Sequence, residues 1–143
     1  MDLKLSQTTG PLIELFFHVY RTLGYGFIER VYQNAMVIAS KRFGLDIRVK
    51  VPILVKFEGV IAGKYEADVV VNNTVICELK TAKALAPEHE AQLLNYLKAT
   101  PYEVGFLLNF GPKPRYKRLV FDNSRKGSLS WVTTPTRHRR TPI

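Results

Sequence analysis

Apolar residues recur at helical spacing in the first third of the chain: Leu12, Ile13, Phe16, Phe17, Tyr20 and Leu23 share one face. Gly24 and Gly26 interrupt that pattern. The spacing then predicts a second helix from near Phe27, with Ile28, Val31, Ala35 and Ile38 on its apolar face and a C-cap at Gly44 after Lys41 and Arg42. From Asp46 the pattern changes to strands. The run from Asp46 to Gly59 alternates and is rich in β-branched residues, with Pro52 marking an edge or a break. Two further strand-like runs, Ile61 to Val71 and Thr74 to Lys80, meet at Asn72-Asn73, residues that tolerate the left-handed backbone of a tight hairpin.

Pro87 opens a third helix, with Glu88 and Glu90 in its first turn, where the helix dipole favours acids. The run Tyr102 to Phe110 is almost uninterrupted in its apolar character, as in a strand buried on both faces. Tyr116 to Phe121 reads as a last strand, placed at an edge by its basic neighbours. The order α-α-β-β-β-α-β-β contains one helical crossover between strands. It predicts an α/β (α+β) fold with a mixed central sheet flanked by helices.

Composition narrows the class. The chain has 143 residues, 46% of them hydrophobic and 23% charged, enough for one core without staples. Its single cysteine, Cys77, lies inside an apolar run, which excludes an internal disulfide and a thiolate zinc site and reads as a buried thiol. The polar N-terminus and the short first apolar stretch point to a soluble, cytoplasmic protein, neither secreted nor membrane-spanning. The formal net charge of +9 favours a polyanionic partner, of which nucleic acid is the commonest. Residues 1–124 read as a single domain and 125–143 as a basic, partly flexible tail carrying Arg137, His138, Arg139 and Arg140.

Charged residues inside apolar runs carry the chemistry, because burying a lone charge is costly. Asp68 lies in such a run, and Glu78 and Lys80 close another. Side chains alternate along a strand, so Glu78 and Lys80 share a face about 7 Å apart. Two carboxylates and an ammonium on one surface suit a hard cation and a phosphate: the acids can chelate an ion such as Mg²⁺, and the lysine can hold a metal-bound water or stabilise charge developing on phosphate. Register decides whether the acids meet. A strict two-residue turn at Asn72-Asn73 would set Asp68 opposite Cys77 and send Glu78 to the other face. A three-residue loop, Asn72 to Thr74, sets Asp68 opposite Glu78, with Cβ atoms about 5 Å apart. The same letters also describe a strand-end aspartate beside an exposed Glu78–Lys80 ion pair.

The motif Gly26-x-x-Glu29-x-x-Tyr32 resembles the signature of the GxxExxY family, within the PD-(D/E)XK nuclease superfamily. Further blocks agree in order: Leu23-Gly24, Val51-Pro52, the strand with Asp68, Cys77 to Lys80, His89 to Leu97, and Leu107 to Gly111. The resemblance covers roughly residues 10 to 121. It implies a restriction-endonuclease-like α-β-β-β-α-β core and a Mg²⁺- or Mn²⁺-dependent nuclease acting on DNA or RNA. By the same resemblance, Glu29 matches the first acidic motif, Asp68 the metal-binding aspartate, Glu78 and Lys80 the (D/E)-x-K pair, and Gln92 a glutamine on the following helix. Asp68 and Glu78 are the implied metal ligands. The proline of the "PD" name is replaced by Ala67. No base-reading element is apparent, so little sequence specificity is expected. A non-catalytic nucleic-acid-binding or accessory module that keeps the fold is the competing reading; the complete quartet of Glu29, Asp68, Glu78 and Lys80 favours an enzyme. The small size admits a homodimer.

Overall fold

The structure is a computed structural model that describes residues 5–127. Helix α1 (Ser6–Leu23) buries Leu12, Leu15, Phe16 and Val19, one apolar stripe at helical spacing. Helix α2 (Glu29–Ala39) runs into a 3₁₀ turn (Ser40–Phe43) that Gly44 closes in the left-handed conformation, as its C-cap position anticipates. The buried face of α2 is not the expected one. It consists of Tyr32, Gln33, Met36 and Ala39, whereas Ile28 and Ile38 are 71% and 72% exposed, and the helix starts at Glu29. Apolar residues lie at helical spacing on both faces of this segment. The aromatic face won, since Tyr32 stacks on Phe110 with centroids 4.3 Å apart.

Five strands follow: β1 (Ile47–Phe57), β2 (Val60–Val71), β3 (Val75–Lys80), β4 (Val104–Phe110) and β5 (Pro114–Val120). They form one mixed sheet in sequence order, antiparallel except for the β3–β4 pair. Helix α3 (Pro87–Lys98) makes the crossover that a parallel pair requires. The fold class is therefore the one read from the pattern, with Pro52 on edge strand β1 and the basic residues on edge strand β5. Strand β4 is buried along its whole length.

The sheet separates two apolar layers. One contains α1, α2, Val69, Val71, Val75, Cys77, Leu79 and Phe106. The other contains α3, Val70, Ile76 and Leu107. The β1–β2 ribbon changes sides between them. Ile47 and Val49 pack with α1 and α2, but Val51 and Ile53 pack with α3; on β2, Val69 and Ala67 are divided in the same way. Residues two apart on a regular strand face the same side. The reversal coincides with Lys50, which has φ 53, and with Asp68, which sits level with it between the pairs Val49↔Val69 and Val51↔Ala67.

The described chain is tied down beyond the last strand: Lys126 is buried, and its Nζ donates to the carbonyls of Thr100 and Tyr102. The basic run at 137–140 and most of the expected tail lie outside the described residues. No described helix is long and apolar enough to cross a membrane.

Candidate active site

The loop between β2 and β3 has three residues. Val71 pairs with Val75, Val70 with Ile76 and Val69 with Cys77. Asn72 and Asn73 both take the left-handed backbone, at φ 51 and 54, and the Thr74 N–H bonds back to the Val71 carbonyl. This is the parity that brings Asp68 level with Glu78.

The ladder stops there. Pairing of β2 with β3 ends at Val69↔Cys77, while β3 continues alongside β4 to Lys80↔Asn109. Strand β2 turns away to follow β1, and the two carboxylates take over the orphaned backbone donors. The Asp68 N–H donates to Glu78 Oε2 at 2.9 Å, and the Leu79 N–H donates to Asp68 Oδ2 at 2.8 Å. Each acid caps the other's strand where the sheet splits. Gln33 of α2 secures the split, its Nε2 donating to the Asp68 carbonyl at 2.8 Å.

Glu78 is only 3% exposed. Burial, and then the negative charge of Asp68, push its carboxyl up to about 9; the hydrogen bond from the Asp68 backbone and the charge of Lys80 oppose the shift without cancelling it. The pair therefore holds a proton at neutral pH. A divalent cation would replace that proton and relieve the repulsion. Mg²⁺ is commonly held by one or two carboxylates with waters and substrate phosphates, so this donor set fits such an ion. Among the described residues, no cluster of three or more His, Cys, Asp or Glu forms a closed metal cage.

The remaining expected residues take distinct places. Lys80 ends β3, half-buried, and makes no ion pair with Glu78 among the described residues, so an exposed Glu78–Lys80 pair is excluded. Glu29 begins α2 and lines a cleft of ≈ 180 Å³ together with Asp68, Gln33 and Leu79. The residue lies at the surface, but partial desolvation raises its carboxyl pKa; Lys80 opposes this, Asp68 adds to it and His89 opposes it. Its place in the same cleft as Asp68 puts it beside the site. Gln92 is exposed and donates to the Tyr96 hydroxyl at 3.1 Å. It therefore reaches the site through Tyr96, whose own pKa rises to about 12 through burial first and Glu78 second. His89 accepts the Ala86 N–H at 3.0 Å and so caps α3.

The Gly26-x-x-Glu29-x-x-Tyr32 motif has a physical reading. Gly26, at φ 123, allows a backbone that side chains resist. Tyr32, one turn into α2, donates to the Gly24 carbonyl at 2.6 Å and accepts the Phe27 N–H at 3.3 Å. The tyrosine thus fixes the loop that presents Glu29.

The cleft contains residues that the sequence pattern did not single out: Arg30, Lys50 and Glu66. Lys50 is the most informative. Its left-handed backbone costs of the order of 1–2 kcal/mol for a residue with a Cβ, and such strain concentrates at functional sites. Nothing in the letters around it distinguishes it from an ordinary outward-facing strand lysine.

A family model of the PD-(D/E)XK nuclease superfamily matches residues 6–119. None of the curated proteins compared matches the chain. The crystal structure of SSO0001 resembles it at 18% identity and a TM-score of 0.47, covering 87% of this chain. This chain spans 64% of the length of that structure.

Proposed function

The chain belongs to the PD-(D/E)XK nuclease superfamily, and on that premise we propose that it is a divalent-metal-dependent phosphodiesterase acting on DNA or RNA with little sequence specificity. The observation that carries the proposal is the Asp68–Glu78 pair: two carboxylates held together at a split in the sheet, one of them buried, beside Lys80. A folded chain has little structural reason to keep a buried acid against a second acid, since burial costs several kcal/mol when the charge is unpaired.

Asp68 and Glu78 would hold Mg²⁺ or Mn²⁺, which when bound supplies Lewis-acid polarisation of a phosphate and a lowered pKa for water. The backbone N–H of Leu79 and of Asp68 fix the two carboxylates in orientation. Lys80 lies two residues beyond Glu78 on β3 and on the same face, and its ammonium stabilises charge that accumulates on the phosphate oxygens. Glu29, its carboxyl pKa already raised by partial desolvation, holds and accepts a proton from the attacking water. Gln92 orients the Tyr96 hydroxyl and acts as a positioning residue. The Gly26–Glu29–Tyr32 arrangement supports the finer placement in the GxxExxY family, and the net charge of +9 supports a nucleic-acid partner.

The test is incubation of the protein with single- and double-stranded DNA and RNA, with Mg²⁺, with Mn²⁺ and with chelator. Cleavage that needs the metal and disappears in Asp68→Asn and Lys80→Ala supports the proposal. Binding without cleavage under every condition replaces it with the non-catalytic module.

A further inference from the structure

A second cavity, of ≈ 390 Å³, lies at the β5 edge of the sheet, lined by Lys83, Lys113, Arg115, Lys117 and Leu85 among others, with no acid in its lining. All four cations are exposed. Lys117 is held by Glu90 of α3 at 2.9 Å. Lys83, Lys113 and Arg115 have no carboxylate partner among the described residues.

The sheet register connects this groove to the candidate site. Lys80 is level with Asn109 and Asn109 with Arg115; Glu78 is level with Leu107 and Leu107 with Lys117. Residues level on neighbouring strands project to the same face, so Glu78, Lys80, Arg115 and Lys117 share the α3 side of the sheet. Two strand spacings separate the site from the groove, roughly 10 Å.

The groove is also preformed. Asn109 donates to the Ala82 carbonyl and accepts the Ala82 N–H, both at 3.0 Å, which fastens the loop carrying Lys83 to the end of β4. Gly111 allows that approach: a Cβ there would stand 1.9 Å from the Ala82 carbonyl oxygen. Three cations with no carboxylate partner among the described residues are thus held around one cavity by a fixed framework, a geometry that a polyanion relieves.

We propose that this groove is the track for the phosphodiester backbone of the nucleic acid flanking the phosphate at Lys80. The inference rests on the proposed function and specifies where the substrate lies. A strand carries one phosphate per about 3.4 Å of helix axis, so a span of roughly 10 Å offers about three charges to the groove. Continuity with Lys80 and Glu78 selects a nucleic acid over an acidic protein, because the groove and the site then serve one polymer.

The experiment uses the full chain in chelator, so that nothing is cut, and measures anisotropy of labelled DNA and RNA oligonucleotides across a range of NaCl. The variant is Lys83→Gln/Lys113→Gln/Arg115→Gln. The control is Lys41→Gln/Arg42→Gln/Lys98→Gln, which removes the same formal charge from exposed positions elsewhere. The groove variant is expected to bind at least tenfold more weakly. Its plot of log affinity against log salt should be shallower by about 0.9 for each phosphate it no longer neutralises. The control should change the slope by less than one phosphate's share. Equal effects of the two variants overturn the proposal, as does equally tight binding of polyglutamate to the groove. Thermal melting of both variants, and the single variant Arg115→Gln, separate a folding defect from a binding one. Asp68→Asn/Glu78→Gln separates the two readings: abolished cleavage with an unchanged salt slope supports both. If the wild type cuts nothing while the groove variant still shows the shallower slope, the groove stands and the nuclease does not. If cleavage is intact and the slope is unchanged in the groove variant, the groove alone fails.

Discussion

Replacing Glu78 by glutamine removes a carboxyl whose pKa burial, and then the charge of Asp68, push up to about 9. Between the ordinary carboxylate range and that value, the folded protein holds more protons than the unfolded chain. Stability falls as pH rises across that window, by about 1.4 kcal/mol per pH unit for one group. The contribution is fully favourable below the unfolded value and is lost as pH climbs through the folded one. At pH 7 the metal-free protein is thus about 3 kcal/mol less stable, on this account, than at the acid end of the window. Glu78→Gln keeps the shape and hydrogen-bonding capacity without the titration. Chemical denaturation in chelator, from pH 5 to pH 9, should show the variant matching the wild type at pH 5 and exceeding it by about 3 kcal/mol at pH 7. Added Mg²⁺ should stabilise only the wild type, and most strongly at high pH, because loading displaces the proton. Parallel pH profiles of wild type and variant in chelator would refute the buried, proton-sharing pair.

Lys50 should invert the usual strand preference: Lys50→Gly is at least as stable as wild type in urea titrations, while Lys50→Val is less stable by about 1–2 kcal/mol, because valine resists a left-handed backbone. Tyr32→Phe leaves the Gly24 carbonyl and the Phe27 N–H without their partner; it should cost about 1 kcal/mol in melting experiments and lower cleavage more than nucleic-acid affinity, by loosening the loop that presents Glu29. Asn109→Ala removes both bonds to Ala82 and should cost about 2 kcal/mol of stability while weakening nucleic-acid binding with it. Gly111→Ala should be as damaging, read by the same melts, since the added methyl meets the Ala82 carbonyl.

Much of the fold is legible in the sequence because burial here is strongly patterned. The run from Tyr102 to Phe110 has the composition of a strand buried on both faces, and β4 is one. The two asparagines pose the register question, and the three-residue loop answers it by setting Asp68 beside Glu78. The buried face of α2 is not legible, because Ile28, Val31, Ala35 and Ile38 form as regular a stripe as Tyr32, Met36 and Ala39. Only the stacking of Tyr32 on Phe110, between distant parts of the chain, decides between them. Lys50 and Gln33 are silent for a related reason. A lysine between two valines and a glutamine on a helix are ordinary letters, and their roles arise where β2 leaves β3, a split that pairwise spacing does not encode.

Calorimetric titration with Mn²⁺ at pH about 7.5, below the value to which the Glu78 carboxyl is pushed, asks whether Asp68 and Glu78 together hold a divalent cation. One site per chain is expected, with release of close to one proton on loading (read from buffers of different ionisation enthalpy) and loss of the site in Asp68→Asn/Glu78→Gln with the fold intact. Uptake by that double variant equal to the wild type, or no uptake by the wild type with or without nucleic acid present, would contradict a cation held by the pair.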